Sequence, residues 1–363
     1  MKRKATLLAA SDIGAAGTKI VDIDDIGQIS SLYVAFSVDI VTVSVMLAPL
    51  AKTITKLELV DGGNVLASAT GNTLNGVNFC EHGELPYQFL SLLVGATVSN
   101  VARLDFGRFQ WDPEYALRPS MFKNLQLRIT WDEDAANTGV IVNSFAVYAD
   151  IDDAPKLGGA GGMFITKEVQ NYAMAASANE LIRIPVDKPI RSVYIAGDTI
   201  DHDAVDLFDN IKIDANNGGY TFYDQKALDL VRMLNEFPAV SLPVTLDDVV
   251  TAKDLYVPMA MDNRIDIEYD ATAHVTAQTK FALPAYKGQF IDIAASVDIQ
   301  ADFGTVTGRM PGGVIPFFLG DKNDPESWYR PALNDRLEAT ILSSSAADSG
   351  DTAYVLIQQV MSY

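Results

Sequence analysis

Cysteine and histidine are scarce in this chain of 363 residues, which contains one cysteine, Cys80, and three histidines. A single cysteine excludes an intrachain disulfide and any metal site built from several cysteines. Three histidines leave few of the side chains that most often act as general bases or metal ligands. Cys80 and His82 could face each other as a thiolate–imidazole pair, but no orienting residue is identifiable, so a buried cysteine is the favoured interpretation.

Basic residues are also few, since 27 Lys and Arg stand against 47 Asp and Glu and give a net charge of −20. This balance excludes broad binding of nucleic acid, which requires an excess of positive charge. The glycine-rich run at residues 158–162 lacks the Gly-Lys-Ser/Thr ending of a phosphate-binding loop, and no nucleophile elbow or zinc-binding helix motif is present. We therefore expect neither an enzyme nor a bound cofactor.

One acidic cluster could hold a cation, because hard cations prefer carboxylate oxygens. Asp201, Asp203 and Asp206 lie around His202, and they are the candidate Ca²⁺ ligands of the chain. Their spacing does not match an EF-hand loop. In a chain this acidic, a solvated loop is the favoured alternative.

The N-terminus begins with three basic residues, Lys2, Arg3 and Lys4, followed by a short apolar run. That run is shorter than the roughly seven to fifteen residues of a signal-peptide core, so we expect no signal peptide. We interpret residues 1–16 as a basic arm, with an untethered terminus as the alternative. Residues 28–50 are the most apolar stretch, but their alternation and Asp39 at the centre indicate two strands and not a transmembrane span.

The most informative feature that is present is an internal repeat. Asp112-Pro113-Glu114 followed by Arg118-Pro119 recurs as Asp324-Pro325-Glu326 followed by Arg330-Pro331, an offset of 324 − 112 = 212 residues. Seven of the 19 positions in 112–130 and 324–342 are identical, where chance gives roughly one match in sixteen positions. The same offset pairs Leu125 with Leu337 and Ile129 with Ile341. We infer two tandem copies of one domain.

The repeated Asp-Pro-Glu…Arg-Pro box has the composition of a stiff loop, since Asp before Pro favours a turn and Pro fixes φ. Arg118 and Arg330 could bind the carboxylates of Glu114 and Glu326 and so brace the loop. They could equally bind a neighbouring subunit. Asp112 and Asp324 complete the set of candidate residues in the two boxes.

The rest of the chain has the period-two alternation of strands, with hairpins at Asp61-Gly62-Gly63 and at Asn216–Gly219. Short helices are predicted at Pro86–Val94 and near 224–237, the second capped by Asp224. A chain of this length fits about two domains. The predicted fold class is therefore all-β, with two tandem β-sandwiches and short helices in loops. The predicted boundaries are 1–16 for the arm, 17–155 for the first sandwich, 156–163 for a Gly-rich linker and 164–363 for the second sandwich.

With this layout, and with Phe106-Gly107-Arg108 ahead of the Asp-Pro-Glu loop, the chain resembles the double jelly-roll major capsid proteins. That lineage includes the adenovirus hexon and the capsid proteins of tailless icosahedral viruses, including bacteriophages, that enclose a membrane. The resemblance implies two jelly rolls per chain and a homotrimer whose pseudo-hexagonal capsomers tile a shell. It implies a virion protein made in the host cytoplasm, with neighbouring capsomers, penton or minor capsid proteins and an internal membrane as partners. Lys2, Arg3 and Lys4 would then face the membrane or capsid interior.

Two alternatives from other classes remain open at this point. A β-sandwich that binds carbohydrate or a receptor would expose aromatic side chains on loops, for which Trp111, Trp328 and Tyr329 are the candidates. A hydrolase built on tandem jelly rolls would need acidic pairs in a cleft.

Overall fold

The computed structural model describes residues 1–41, 45–46, 50–91, 95–133, 140–153, 160–199, 203–234, 237–246, 253–256, 259–268, 287–290, 302–332 and 335–363. Within these ranges the chain consists mainly of β-strands, with two α-helices in loops. The first part contains the following strands and helix: β1 (Lys2–Asp12), β2 (Ala16–Asp22), β3 (Gln28–Ile40), β4 (Val45–Met46), β5 (Ile54–Asp61), β6 (Asn64–Ala69), α1 (Gly71–His82), β7 (Leu90–Ser91), β8 (Thr97–Asp105), β9 (Leu125–Asp132) and β10 (Val140–Asp152).

The second part repeats the order of the sandwich strands, with additional strands between its helix and its last three strands. It contains β11 (Gly162–Ala173), β12 (Asn179–Ile184), β13 (Ile190–Asp198), β14 (Phe208–Ala215), β15 (Tyr220–Gln225), α2 (Ala227–Met233), β16 (Val240–Leu246), β17 (Lys253–Tyr256), β18 (Met259–Glu268), β19 (Lys287–Phe290), β20 (Asp302–Pro311), β21 (Val314–Phe318), β22 (Leu337–Ser343) and β23 (Thr352–Ser362).

The sheets confirm the predicted duplication strand by strand. The first sandwich consists of the sheets β1-β10-β3-β8 and β2-β9-β5-β6, and the second of β11-β23-β13-β21 and β12-β22-β14-β15. Each strand of the first set has a counterpart at the same place in the second. A parallel bridge between Ser68 on β6 and Lys167 on β11 joins one sheet of each sandwich into a sheet of eight strands.

The cores form because apolar side chains alternate along the strands, so that one face of each sheet is buried. In β9, Leu125, Leu127 and Ile129 are at most 5% exposed, and in β22 the repeat partners Leu337 and Ile341 are at most 1% exposed. The offset of 212 found in the sequence therefore links residues in equivalent strands.

The helix predicted at Pro86–Val94 is wrong. Residues 84–89 contain no regular element, Leu90–Ser91 form β7, and 92–94 lie outside the described residues. β7 pairs in parallel with β16, so a partner more than 150 residues away decides its conformation. The first helix is instead α1, which starts at a capping box formed by Thr70 and Thr73 and ends at Gly83 in the left-handed conformation.

The second helix is confirmed near its predicted place but is shorter. α2 begins after Lys226, and Asp224 is not its cap but lies in β15, where it accepts a hydrogen bond from Asn210 (2.8 Å). The apolar side chains of the predicted span pack on the core, with Val231 and Phe237 buried and Leu228 and Leu234 partly buried. Residues 235–236, within the predicted span, lie outside the described residues.

The segment expected to be a basic arm, residues 1–16, is not separate from the first sandwich. β1 pairs antiparallel with β10 from Lys2↔Asp152 to Asp12↔Ser144 and forms the end strand of its sheet. Local sequence could not reveal this, because the partner strand lies about 140 residues away. Of the Gly-rich linker expected at 156–163, residues 156–159 lie outside the described part, and Gly162 already belongs to β11.

The apolar stretch 28–50 contains β3 and the short β4, as its alternation predicts, while 42–44 and 47–49 lie outside the described residues. Among the residues that the structure describes, no helix is long and apolar enough to cross a membrane. Much of the additional length of the second copy lies between α2 and β21, where β16 and β17 pair with β7 and β4 of the first copy.

Candidate functional site

The two repeated boxes form the same turn. In each, the first aspartate accepts a hydrogen bond from the backbone amide two residues on, with Asp112 Oδ1 to the amide of Glu114 at 2.9 Å and Asp324 Oδ1 to the amide of Glu326 at 3.0 Å. This is the geometry by which aspartate mimics a backbone turn. The box therefore recurs because its aspartate and proline stabilise the same local turn in both copies.

The arginine that braces the first box is Arg108, not Arg118. Arg108 binds Asp112 through Nε (2.7 Å) and Nη2 (2.9 Å) and also binds Glu114 (2.6 Å). Arg118 instead donates to the carbonyl of Ala160 (3.3 Å) and lies over the ring of Tyr363. The predicted Arg118–Glu114 pair is therefore wrong.

Asp112 is 1% exposed, and burial alone would raise the pKa of its carboxyl group. The hydrogen bonds from Arg108 and from the amides of Glu114 and Arg108 favour the charged form and hold the pKa below its usual value. The second box is open in comparison, because Asp324 and Glu326 are exposed and Arg330 donates to the carbonyl of Pro325 (3.0 Å). The pairing of Arg330 with Glu326 that the sequence suggested is replaced by this contact.

The two boxes, 212 residues apart in sequence, meet at the junction of the sandwiches. Arg108 donates to the carbonyl of Asn323 (3.3 Å), and the ring of Tyr115 lies 5.8 Å from that of Trp328. Phe164 contacts both rings, at 5.0 and 5.6 Å. An open groove of about 430 Å³ is lined by residues of both boxes and of the strands beside them: Pro113, Glu114, Tyr115, Gly161, Pro189, Pro325, Trp328, Arg330, Val360 and Ser362.

Helix α1 of the first sandwich forms the other part of the junction. Its Gly76 faces β21 and the turn before it so closely that a Cβ atom there would lie 2.3 Å from Cγ2 of Val314 and 2.5 Å from the carbonyl oxygen of Pro311. Gly312, with φ of +72°, lies in that turn and approaches the backbone of Asn72 on α1. The helix and the turn therefore pack backbone against backbone, which only glycine permits.

We expect Gly76→Ala to lower the free energy of unfolding by about 1–3 kcal/mol, because the added methyl group pushes α1 away from β21. Gly63→Ala is the matched control, since a Cβ atom at Gly63 has no neighbour within 4 Å. Urea unfolding followed by circular dichroism measures both. Equal stability of the two variants would contradict the close packing of α1.

Beside α1 lies a buried ionic network that joins the sandwiches. Glu81 of α1 forms an ion pair with Arg191 of β13, and their side chains are 5% and 1% exposed. Arg191 also binds Gln358 and donates to the carbonyl of Lys322 (2.9 Å). Tyr194 donates to Glu81, and both its burial and this carboxylate raise its pKa well above the usual value. Since buried charges require paired partners, the network fixes how the sandwiches are placed.

The first sandwich carries the strand motif around Tyr194 a second time, on a partly exposed face. The prediction from sequence missed this second repeat. Ile29, Ser31, Tyr33 and Ala35 recur as Ile190, Ser192, Tyr194 and Ala196 at an offset of 161. The motif lies on β3 and β13, and the offset follows from the bridges Ile29↔Leu117 and Ile190↔Tyr329, whose second members are 212 apart. The identical residues at every second position of the two strands are the sequence signal that reveals this repeat.

Tyr33 differs from Tyr194 in its surroundings. Its hydroxyl donates to Asp150 (2.7 Å), while Lys4 and Arg103 lie 4.6 and 5.7 Å from its ring centre. Burial and the hydrogen bond to Asp150 raise the pKa of Tyr33 to about 12. Unlike Tyr194, it is half-buried.

The three basic residues of the predicted arm each have a partner within the first sandwich. Arg3 binds Asp153 (2.8 Å), Lys4 binds Asp150 (2.8 Å), and Lys2 lies 5.3 Å from the centre of the Trp111 ring. These contacts attach β1 to the sheet.

Of the acidic residues weighed as Ca²⁺ ligands, Asp201 lies outside the described residues. Asp203 is 8% exposed and precedes a short 3₁₀ turn, Ala204–Leu207, that contains Asp206. In the ranges described above, no group of three or more His, Cys, Asp or Glu side chains could hold a metal ion.

The structure also places Trp328 and the Cys80–His82 pair, which were weighed as candidates from the sequence. Trp328 is 4% exposed, so the expectation of an exposed aromatic at this position is wrong. Cys80 is fully buried, as the favoured interpretation of the sequence predicts, and His82 contacts Asp105 (3.0 Å).

Comparison of the sequence with models of protein families gave no match, and comparison with curated proteins gave none of significance. Solved structures, however, match over nearly the whole chain. The VP54 protein of PBCV-1 superposes with a TM-score of 0.55 at 11% identity, covering 99% of this chain and 93% of that one. A chain in the atomic structure of Sulfolobus Turreted Icosahedral Virus gives a TM-score of 0.51 at 12% identity over 94% of this chain and 90% of that one.

A crystal structure of the STIV MCP matches at a TM-score of 0.50 and 11% identity, over 94% of this chain and 96% of that one. The matches span both sandwiches and the strands between them, and so they extend beyond a single β-sandwich. At these identities the likeness is one of fold. The chain has the double jelly-roll fold of viral major capsid proteins, as its sequence layout predicted.

Proposed function

We propose that this protein is a major capsid protein: a structural, non-enzymatic component of an icosahedral virion, working as a homotrimer whose capsomers tile the shell. The observation that carries the proposal is the match to capsid proteins over 94–99% of the chain, with both jelly rolls included. A match limited to one sandwich would be weak support, because single sandwiches serve many functions.

The duplication supports the trimer on geometric grounds. A chain with two similar sandwiches gives six similar lobes when three copies form a ring, and six lobes fit a hexagonal lattice. The rigid junction through α1 and the Glu81–Arg191 pair suits this role, since it holds the two lobes of one chain in a fixed relation. The proposed partners are other copies of the chain, neighbouring capsomers, and the penton or minor proteins and internal membrane that such a shell would contact.

The basic residues at the N-terminus already have partners within the first sandwich. To bind an internal membrane, Arg3 and Lys4 would have to give up their ion pairs with Asp153 and Asp150. Lys2 would have to leave the ring of Trp111. The proposal therefore rests on the fold and not on these residues. The net charge of −20 favours solubility at the high concentration that assembly requires.

Light scattering coupled to size exclusion tests the proposal first. A trimer of a 39.3 kDa chain has a mass of 3 × 39.3 = 117.9 kDa. We expect this mass at micromolar concentration, and particles with a hexagonal outline in negative-stain micrographs. A protein that stays monomeric at that concentration, with no such particles, would contradict the proposal.

A carbohydrate- or receptor-binding function has less support. Trp328 is buried between the sandwiches, and Trp111 is held by a basic side chain above its ring. Trp328 therefore offers no face on which a sugar could stack, and Lys2 occupies one side of the Trp111 ring.

A further inference from the structure

β2 and β12, which hold the same place in the two sandwiches, each expose a large apolar side chain. Ile20 on β2 is 50% exposed, and Leu181 on β12 is 56% exposed. The two residues are equivalent, because Ile20 pairs with Arg128 and Leu181 pairs with Thr340, and 340 − 128 = 212. A single exposed apolar residue is common on a protein surface, but its recurrence at one place in both copies requires a cause.

Alternation along the strands fixes the direction of these side chains. The neighbouring Val21 and Ile182 are 5% and 1% exposed and face the cores, so Ile20 and Leu181 face outward. All the residues of the two outer faces are exposed: Thr18, Ile20 and Asp22 on β2, and Asn179, Leu181 and Arg183 on β12. In the part of the chain that the structure describes, both strands are end strands of their sheets. The two faces are therefore accessible to another molecule.

The charges on the outer faces are opposite in the two copies. Asp22 of β2 is equivalent to Arg183 of β12, two residues after the apolar position in each strand. Each has a neighbour in its own sheet, since Asp22 accepts a hydrogen bond from Gln126 (2.8 Å) and Arg183 lies 3.8 Å from Glu338. The Arg183 side chain is nevertheless 76% exposed, so its guanidinium can bind a second carboxylate.

The same reversal occurs wherever both copies carry a charge in these two sheets. Lys19 of β2 corresponds to Glu180 of β12. Glu58 of β5 corresponds to Lys212 of β14, because their partners on β9 and β22 are again 212 residues apart. Among the strands β2-β9-β5-β6 and β12-β22-β14-β15, no equivalent position has the same charge in both copies. Opposite charges suit a contact between unlike sandwiches, since a contact between two of one kind would place like charges together.

Contacts between unlike sandwiches are also those that the proposed lattice would contain. Three chains place first and second sandwiches alternately around a hexagon, so opposite sides belong to sandwiches of different kinds. Neighbouring capsomers of one orientation meet through opposite sides, and each contact then joins a first sandwich to a second. Because every copy has the same end toward the interior, β2 and β12 run in the same direction there. Equivalent residues of the two strands then meet at the same height.

We propose that the outer face of β2 in one capsomer packs on the outer face of β12 in its neighbour, with Ile20 against Leu181 and Asp22 paired with Arg183. This inference rests on the proposed trimeric capsomer and names the surface through which capsomers join. The partner of each face is therefore a second copy of this chain. A contact between two strands buries little area and is weak by itself, so capsomers should separate on dilution and stay together only through many such contacts.

The first test links the two faces covalently in the full chain. Ile20→Cys is combined with Leu181→Cys, the concentrated protein is treated with a short bismaleimide and diluted, and its mass is measured by light scattering. Cys80 is fully buried, which keeps the background low. The matched control combines Ile20→Cys with Met233→Cys, because Met233 is 58% exposed and also belongs to the second sandwich but lies on α2.

We expect the Ile20/Leu181 variant to keep masses above that of one trimer after dilution. Each single variant and the Ile20/Met233 control should return to the mass of one trimer. A linked Ile20/Leu181 protein with the mass of one trimer would place the contact within a capsomer and overturn the inference. Large species from Ile20→Cys alone would mean that two first sandwiches meet, which would also overturn it.

The second test uses the reversed charges. Asp22→Arg makes both faces positive and Arg183→Asp makes both negative, so each variant should associate beyond the trimer about tenfold more weakly than wild type. In an equal mixture, contacts between the two variants again pair opposite charges, and association should recover. Light scattering over a concentration series measures this, with Asp324→Arg, at an exposed carboxylate outside both faces, as the control for net charge.

The outcomes separate this interface from the function on which it rests. A wild-type trimer that never associates further would overturn the interface and leave the trimer standing. So would a trimer whose association is unchanged by the charge variants, or one whose mixed variants do not recover. A wild-type protein that stays monomeric would overturn the capsid proposal itself.

Discussion

Arg191→Met is expected to lower the free energy of unfolding by about 3–5 kcal/mol, because it leaves the Glu81 carboxylate buried without its charged partner. Methionine keeps much of the volume of arginine, so the loss reflects charge more than packing. Arg191 is 1% exposed and lies 5.0 Å from the ring of Phe164, which places the substitution at the centre of the junction. Urea unfolding followed by intrinsic fluorescence, with Trp328 beside the site, measures the effect.

Two controls separate the buried pair from ion pairs in general. Asp229→Asn removes one partner of Asp229–Arg232, whose side chains are about 60% exposed and whose charged atoms are 4.0 Å apart, and such exposed pairs contribute at most about 1 kcal/mol. Glu81→Leu added to Arg191→Met should restore part of the lost stability, since no uncompensated charge then remains. A small loss for Arg191→Met, or a double variant less stable than the single one, would contradict this account.

The duplication was predictable from sequence because it is a relation between two segments and does not depend on propensity. Leu125 and Leu337 match in sequence and are buried in equivalent strands. The hairpins were predictable because glycine turns carry a local signal, as at Asp61-Gly62-Gly63.

The elements that the sequence predicts wrongly are those whose conformation depends on long-range contacts. α1 was missed because its sequence, rich in asparagine and glycine, has no apolar stripe, and it is buried almost all round by the two sandwiches. Asn72, Asn75 and Asn78 on it are at most 7% exposed. The sequence predicts an arm in place of β1, because the carboxylate partners of its basic residues lie on β10 and just after it, more than 140 residues later.

The site was predictable only in part for a related reason. The box itself is predictable from the sequence, because its aspartate and proline stabilise a turn within the box. Its bracing arginine was assigned to Arg118, inside the motif, whereas the bond is made by Arg108, just ahead of it. The meeting of the two boxes at Tyr115 and Trp328 depends on how the sandwiches pack, which no local pattern records.

The two copies of the box offer an internal comparison, since the same substitution can be made at the same position in two environments. Asp112→Ala is expected to lower the free energy of unfolding by about 2–4 kcal/mol, because Arg108 loses its buried partner and two backbone amides lose their acceptor. Asp324→Ala should lower it by about 1 kcal/mol or less, because Asp324 is exposed and the amide of Glu326 can bind water instead.

Asp112→Asn divides the larger effect into its parts. Its amide oxygen can still accept from the amide of Glu114, but it cannot form the charged pair with Arg108, so its stability should fall between those of wild type and Asp112→Ala. Urea midpoints of the four proteins measure the series. Equal losses at positions 112 and 324 would mean that the turn alone determines the contribution of the box. The expected inequality would mean that the buried ion pair with Arg108, which also donates to the carbonyl of Asn323, adds stability beyond that of the turn.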